Sequence, residues 1–324
     1  VLAIGVTPDT VLAKEAGLEL GIKESIVVNE RMETSVPDIY AAGDAVQVKH
    51  YVTGNDALIS LAGPANKQGR IIADNICGGD SRYLGSQGSS VIKVFDMTAA
   101  TTGINETNAK KSGLEVDTVI LSPMSHAGYY PGGKVMTMKV VFEKETYRLL
   151  GAQIIGYEGV DKRIDVLATA IHAGLNATQL KDLDLAYAPP YSSAKDPVNM
   201  AGFMIDNIAK GTLKQWHLED MDKISKDKDV VLLDVRTVGE FSMGHIDGFK
   251  NIPVDELRER ISEIEKGKPV YLICQSGLRS YIASRILEGN GYETYNFSGG
   301  FRFYDAVVND RALIERAYAC GMDY

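Results

Sequence analysis

Apolar positions along the chain follow three successive rhythms. The first stretch holds short unbroken runs: Val1–Val6 reads as a buried strand stopped by Thr7-Pro8-Asp9, and Asp9 or Thr10 can cap a helix running through Leu20. Ile26–Asn29 is a second short run, and Asp38–Ala45 reads as a strand that ends on two small residues, a Gly and an acid. From Ser89 to about Gly211 the pattern becomes β-rich or alternating, at Val91–Phe95, Val116–Leu121, Val135–Phe142 and Leu149–Tyr157. Helices break into it at Asn105–Lys111, at Val160–Ala173 with its stripe of Ile164, Leu167, Ala168 and Ile171, and at Pro197–Ile208. Strands in a run with helices on one side predict an α+β domain.

A third rhythm follows Ala209-Lys210-Gly211 and Trp216, which read as a linker. Strand and helix then alternate: Val230–Leu233, a helix from Asn251-Ile252-Pro253 through Ile264, a strand at Val270–Ile273, a helix at Ser280–Glu288, and Tyr292–Phe297 ending on Ser298-Gly299-Gly300. That order predicts a small doubly wound α/β domain. The expected division is 1–88, 89–211 and 212–324, a multidomain chain of α/β and α+β parts.

Composition narrows the partners. With 45% hydrophobic residues the chain is ordinary for a globular protein, and no apolar run approaches the ~18 residues of a membrane span. A net charge of −9 argues against a nucleic-acid surface, which needs clustered Lys and Arg. Cys77, Cys274 and Cys320 are odd in number and widely spaced, which is neither a disulfide framework nor a metal pattern, and points to a reducing, cytoplasmic setting. The opening apolar run without an initiator Met reads as the C-terminal part of a longer protein.

The most chemical stretch is Tyr271-Leu272-Ile273-Cys274-Gln275-Ser276-Gly277-Leu278-Arg279-Ser280. Cys274 sits where a strand gives way to a helix. Gln275 to Leu278 can turn successive backbone N–H groups towards one point, and the helix adds its positive end, so an anion or thiolate would rest there. With the charge of Arg279, both effects favour the nucleophilic thiolate of Cys274 at neutral pH. Asp234 and Arg236 read as a structural ion pair at a strand end, of small value if exposed. His245 reads as structural, and Cys77 as a packing residue.

Two sets of motifs carry family resemblances. Thr34–Val46 resembles the second flavin-contacting motif of the FAD-dependent pyridine nucleotide-disulfide oxidoreductases, and Ala3–Pro8 looks like the strand and turn closing their NAD(P)H domain. The resemblance implies that Gly43, Asp44 and Ala45 meet FAD, with Asp44 on the ribityl chain. It also implies that Gly63, Pro64 and Ala65 open a helix, running to about Ile76, whose N-terminus faces the flavin ring. No Gly-x-Gly-x-x-Gly opens a helix here, and the redox cysteine of the family is missing.

The middle segment resembles that family's dimerisation domain, which implies a homodimer. Its turns His126-Ala127-Gly128-Tyr129-Tyr130-Pro131 and Tyr187-Ala188-Pro189-Pro190-Tyr191 look closest to the coenzyme A-disulfide reductase branch, where such tyrosines reach the partner's redox cysteine. That role carries to Tyr129 and Tyr187, with Tyr130 and Tyr191 as neighbours; His126 could join them, though a turn histidine is usually solvated.

Asp234-Val235-Arg236, Gly244-His245-Ile246-Asp247-Gly248, Asn251-Ile252-Pro253 and Cys274 to Arg279 together resemble the rhodanese sulfurtransferases. Relatives that hydrolyse phosphate use a loop one residue longer. The shorter loop here suits a terminal sulfur, so Gln275, Ser276, Gly277, Leu278 and Ser280 are expected to cradle a persulfide on Cys274. Together the resemblances imply NAD(P)H- and FAD-dependent reduction of coenzyme A disulfide, coenzyme A persulfide or polysulfide, coupled to sulfane-sulfur handling. A non-catalytic sulfur carrier on a dimerising scaffold and an NADH oxidase with an appended rhodanese domain are the other readings. Neither a metal nor a nucleic acid is expected.

Overall fold

The computed structural model describes residues 5–308. The predicted strand at Val1–Val6 falls largely outside them, and 5–10 have no regular structure. The first helix, α1 (Val11–Glu15), is capped by Thr10 through backbone only. It stops well short of Leu20 because Gly17 turns the chain with a φ of 75°. Strands β1 (Ile26–Val27), β2 (Val46–Lys49) and β3 (Asp56–Ala57) make a small sheet over Met32, Val46 and Val48. Residues 43–45 form a 3-10 turn leading into β2, so the expected strand at Asp38–Ala45 is instead the approach to one. Helix α2 (Ala62–Ile76) follows.

The second unit is an antiparallel sheet of β4 (Ser90–Val94), β5 (Met97–Gly103), β6 (Val116–Leu121), β7 (Met136–Glu143) and β8 (Leu149–Gly156), in the order β4-β5-β8-β7-β6. Strand β5 eluded the pattern because Thr98-Ala99-Ala100-Thr101-Thr102 carries little apolar alternation; its pairing with β8 from Thr98↔Gly156 to Gly103↔Gly151 makes it a strand. Helix α3 (Glu106–Lys111) is capped by Asn105, whose side chain accepts the Asn108 N–H at 2.8 Å. Helix α4 (Val160–His172) buries Ile164, Leu167 and Ile171 on the sheet, and α5 (Pro197–Ala209) starts from Asp196 with Pro at its first position.

The third unit is a five-stranded parallel sheet, β11-β10-β12-β13-β9. Its elements are β9 (Gln215–Trp216), α6 (Met221–Ile224), β10 (Val231–Asp234), α7 (Val238–Met243), β11 (Lys250–Asn251), β12 (Val270–Ile273), α8 (Leu278–Glu288), β13 (Thr294–Phe297) and a helix, α9, beginning at 300. Trp216 is not linker but edge strand: it is 2% exposed, with its ring 4.5 Å from Phe297 and edge-on to Tyr271. The expected helix through Ile264 is a series of turns ending in a 3-10 turn at Ile261–Glu263. The Tyr292 hydroxyl donates to the Ile261 and Ile264 carbonyls at 3.2 and 3.1 Å, occupying acceptors that a continuing helix would have used.

The second and third units meet edge to edge. Ile120 of β6 donates its N–H to Ser298 Oγ at 3.1 Å, and Gln215 Nε2 donates to Thr118 O at 2.7 Å. His217 Nε2 lies 3.0 Å from the Asp117 carboxylate. Unpaired edge groups of β6 are thus closed by side chains from the third sheet.

Candidate active sites

Cys274 follows β12 and is 1% exposed. Its Sγ accepts the Gly277 N–H at 3.1 Å and the Ser280 hydroxyl at 3.2 Å. The structure therefore brings one loop amide and one hydroxyl to the sulfur, rather than the whole ring of amides from Gln275 to Leu278. The other loop peptides are fixed from behind: Phe301 N–H donates to Cys274 O at 2.8 Å, Arg302 N–H to Gln275 O at 3.1 Å, and Asn296 Nδ2 to Gly277 O at 3.1 Å. In a planar trans peptide the N–H points opposite its C=O, so these bonds turn the amides of Gln275, Ser276 and Leu278 away from α9 and Asn296. The amides of Gln275 and Ser276 meet no acceptor among the described residues.

The turn from β13 to α9 has to pass very close to this loop. Gly300 has a φ of 67°, and a Cβ there would lie 2.6 Å from Ser276 N. Glycine is required on both counts.

Arg279 does not aim its charge at the sulfur. Its guanidinium grips Glu240 of α7 with two bonds, Nη1 to Oε2 at 2.7 Å and Nη2 to Oε1 at 2.6 Å. The same carboxylate accepts the Thr237 N–H and hydroxyl at 3.0 and 2.8 Å, closing a capping box. The Arg279 bonds, and then those from Thr237, hold Glu240 down to about 2 against burial, while Arg279 is raised by Glu240 in turn. Sequence reading missed Glu240, though Thr237-x-x-Glu240 is a capping-box signature.

Asp234 and Arg236 are a buried pair rather than an exposed one. Arg236 Nη2 donates to Asp234 Oδ2 at 2.6 Å and to Gly244 O at 2.8 Å, with Phe301 stacked 3.8 Å from the guanidinium. Such a pair costs more to break than a surface one contributes. His245 is exposed, with its ring stacked 4.0 Å from Phe241. Beside the loop opens a cleft of about 390 Å³ lined by Glu240, Met243, Gln275, Phe301 and Arg302.

A second site lies in the middle unit. Tyr129 and Tyr187, 58 residues apart, bring their hydroxyls to 2.8 Å. Both are exposed, as is Tyr191, and the bond to Tyr129 raises the Tyr187 phenol above its ordinary value. What joins the two turns is Arg163 of α4, a residue sequence reading passed over as part of a helix face. It is 1% exposed, and its Nη2 donates to Ser125 O at 3.0 Å, Ser192 Oγ at 3.1 Å and Asp196 Oδ2 at 2.9 Å. Asp196 also accepts the Ser192 hydroxyl at 2.7 Å and the Val198 N–H at 3.0 Å. His126, expected to be solvated, is 5% exposed. The tyrosine turns thus stand on a buried ionic base.

The third arrangement sets the 43–45 turn against the start of α2. Gly43 N–H donates to the buried Gln68 Oε1 at 2.8 Å, and a Cβ on Gly43 would come 3.9 Å from Ala65. Asp44 is exposed and has no partner among the described residues. Leu61 caps α2 without a side-chain bond, no acidic residue occupies the first turn, and nothing lies within 4 Å of a Cβ on Gly63. Unpaired first-turn amides beside a partnerless carboxylate and open space fit a ligand bearing hydroxyls and negative charge, as the implied flavin does. Cys77, at the far end of α2, is exposed rather than packed.

No helix among the described residues is long and apolar enough to cross a membrane, and they contain no cluster of metal-ligating side chains.

Comparison with known proteins matches three stretches of the chain to family models. Residues 1–69 match the pyridine nucleotide-disulphide oxidoreductase family, 89–197 its dimerisation domain, and 217–306 the rhodanese-like domain. The chain is 39% identical over 198 residues to an NAD(P)H sulfur oxidoreductase (CoA-dependent) of Pyrococcus abyssi, covering 61% of this chain and 44% of that one. Reduced CoADR-RHD of Bacillus anthracis superposes with a TM-score of 0.93 at 48% identity, over 96% of this chain and 56% of that one. An NAD-dependent persulfide reductase from A. fulgidus gives 0.85 at 42% identity, over 93% and 55%. The chain thus spans about half the length of the proteins it matches. With all three domain types in this order on one polypeptide, the chain belongs to the pyridine nucleotide-disulphide oxidoreductases that carry a rhodanese-like domain.

Proposed function

We propose that the chain serves an FAD- and NAD(P)H-dependent reductase of coenzyme A disulfide, coenzyme A persulfide or polysulfide, in which Cys274 receives or hands over sulfane sulfur. The names of the Pyrococcus, Bacillus and A. fulgidus proteins support the substrate class. The observation that carries the sulfur-handling half is the Cys274 loop: its sulfur already accepts two hydrogen bonds, and the neighbouring amides of Gln275 and Ser276 are unspent. A terminal sulfur on Cys274 would accept from such donors, and Leu278 N–H is the third. Arg279 acts through Glu240 by fixing α7 against the loop, and Ser280 is a direct donor.

Gly43, Asp44, Ala45, Gly63, Pro64 and Ala65 would hold FAD, which when bound supplies electron transfer from NAD(P)H to a disulfide or persulfide. Asp44 accepts hydrogen bonds from a polyol, and the start of α2 favours negative charge. Tyr129 and Tyr187 offer a paired phenol proton to a thiolate of the partner subunit, with Tyr130 and Tyr191 on the rim. A homodimer is supported by the exposed apolar residues of the second sheet's edge strand β4 and the turn after it, where Val91, Ile92, Val94 and Phe95 are 58%, 61%, 50% and 94% exposed. The working units are 1–88, 89–211 and 212–324, the setting is cytoplasmic, and the ligands are small thiols, disulfides and persulfides.

The test is Cys274→Ser in the full-length protein. Sulfur transfer to cyanide should vanish while flavin reduction by NAD(P)H persists. Unchanged sulfur transfer would reject the assignment.

A further inference from the structure

Ser298-Gly299-Gly300 carries the chain from β13 into α9, past the Cys274 loop. The two glycines turn with φ of 97° and 67°, a conformation that other residues rarely adopt. On either side of this turn stand the groups that hold the loop. Asn296 Nδ2 donates to Gly277 O at 3.1 Å, and Phe301 and Arg302 donate their N–H groups to Cys274 O and Gln275 O at 2.8 and 3.1 Å. Gly277 in turn gives its own N–H to the sulfur. Ser298 lies between these holders and makes no hydrogen bond to the loop among the described residues. Its bonds run the other way: its N–H donates to Trp216 O at 3.0 Å, and its Oγ accepts the N–H of Ile120, on β6 of the second unit, at 3.1 Å. Both residues of that second contact are buried. Strand β6, pinned on its inner side by its pairing with β7, runs on through Ser125 into the turn that bears Tyr129, so its outer edge is a fixed frame shared by both sites.

We infer that Ser298 is a positioning residue for sulfur transfer: its hydroxyl pins the turn between β13 and α9 to β6, and the pinned turn sets the loop whose donors hold the Cys274 sulfur. Without the hydroxyl, the buried Ile120 N–H has no acceptor, and such a donor is relieved only by movement of the turn or entry of water. Either moves Phe301 and Arg302, and with them the carbonyls of Cys274 and Gln275. Gly300 transmits the shift, because the chain there passes so near the loop that a Cβ would lie 2.6 Å from Ser276 N. Gln215 separates positioning from docking. It joins the same two units, with Nε2 donating to Thr118 O at 2.7 Å, but its side chain has no bond to the turn. The inference rests on the sulfur transfer proposed for Cys274; the hold of Ser298 on the turn rests on the geometry.

The test uses the full-length protein and the variants Ser298→Ala, Ile120→Pro and Gln215→Ala, with thiosulfate as sulfur donor and cyanide as acceptor. Ile120→Pro deletes the same bond from the other unit, and proline is tolerated on an edge strand where its nitrogen faces outwards. Thermal melting checks that each variant is folded. Ser298→Ala and Ile120→Pro should each lower kcat about tenfold with KM for thiosulfate little changed, the pattern of a misplaced reacting group rather than of lost binding. Hydrogen exchange in the peptide holding Phe301 and Arg302 should quicken in both. Gln215→Ala should match the wild type in rate and in exchange. An unchanged kcat in Ser298→Ala, a loss carried by KM alone, an equal loss in Gln215→Ala, or unchanged exchange overturns the inference. Should the wild type transfer no sulfur, or Cys274→Ser transfer it as well, the sulfur-transfer reading fails and the exchange result still decides whether Ser298 holds the turn. Should the wild type transfer sulfur through Cys274 and Ser298→Ala equal it, this inference alone fails.

Discussion

Replacing Glu240 by Gln takes away the carboxylate that Arg279 holds with two bonds. The shift of Glu240 from 4.5 to about 2 corresponds to about 3 kcal/mol of preference for the charged form. The side chains of Arg279 and Glu240 are 30% and 28% exposed, so solvent screening reduces this to about 1–2 kcal/mol. Because the folded value lies below the unfolded one, this stability is fully present above about pH 4.5 and is lost as pH falls towards 2. Trp216 is the only tryptophan and lies in the core of the same domain, so urea unfolding followed by its fluorescence reports this domain selectively. Glu240→Gln should be about 1–2 kcal/mol less stable at pH 7, and the gap should narrow as the pH is lowered through 4.5 to 3. Equal stability at pH 7, or a gap that stays constant into acid, would refute the reasoning. The same variant frees a guanidinium five residues from Cys274, so sulfur transfer should fall as well.

Three other substitutions probe the bases of the two sites. Gly300→Ala places a methyl 2.6 Å from Ser276 N at a φ of 67°, and should cost about 1–3 kcal/mol and lower sulfur transfer, read by the same fluorescence unfolding and by thiocyanate formation. Ser280→Ala removes one of the two donors to Sγ and should slow sulfur transfer about tenfold with the unfolding midpoint little changed, since its other bond is a local one to Gly277 O. Arg163→Met strands the buried Asp196 carboxylate and should cost about 3–5 kcal/mol; ultraviolet titration should then show the Tyr187 phenol ionising nearer its ordinary value as the two turns part.

Sequence pattern was most legible where burial alone sets the element. Val116–Leu121 appears as a strand over the same residues because five of its six side chains are buried, and the apolar stripe of Val160–His172 faces the sheet as periodicity required. It was least legible where a distant partner decides. Trp216 looks like linker until Phe297 and Tyr271 close over it, and Thr98–Thr102 becomes a strand only through β8. The Cys274 loop could be placed between strand and helix from sequence, but the direction of Arg279 could not, since Glu240 lies 39 residues away. Arg163 and Asp196 were invisible for the same reason: a helix-face arginine and a helix-capping aspartate look ordinary until burial makes them a pair. His126 in a Gly- and Pro-rich turn gave no local sign that it would be enclosed.

The central claim is that Cys274 carries sulfur, and peptide mass spectrometry after loading with thiosulfate addresses it most directly. The peptide holding Cys274 should gain the mass of one sulfur atom, reversed by cyanide and absent in Cys274→Ser. Added sulfur found on the exposed Cys77 instead, or on no cysteine, would contradict the account.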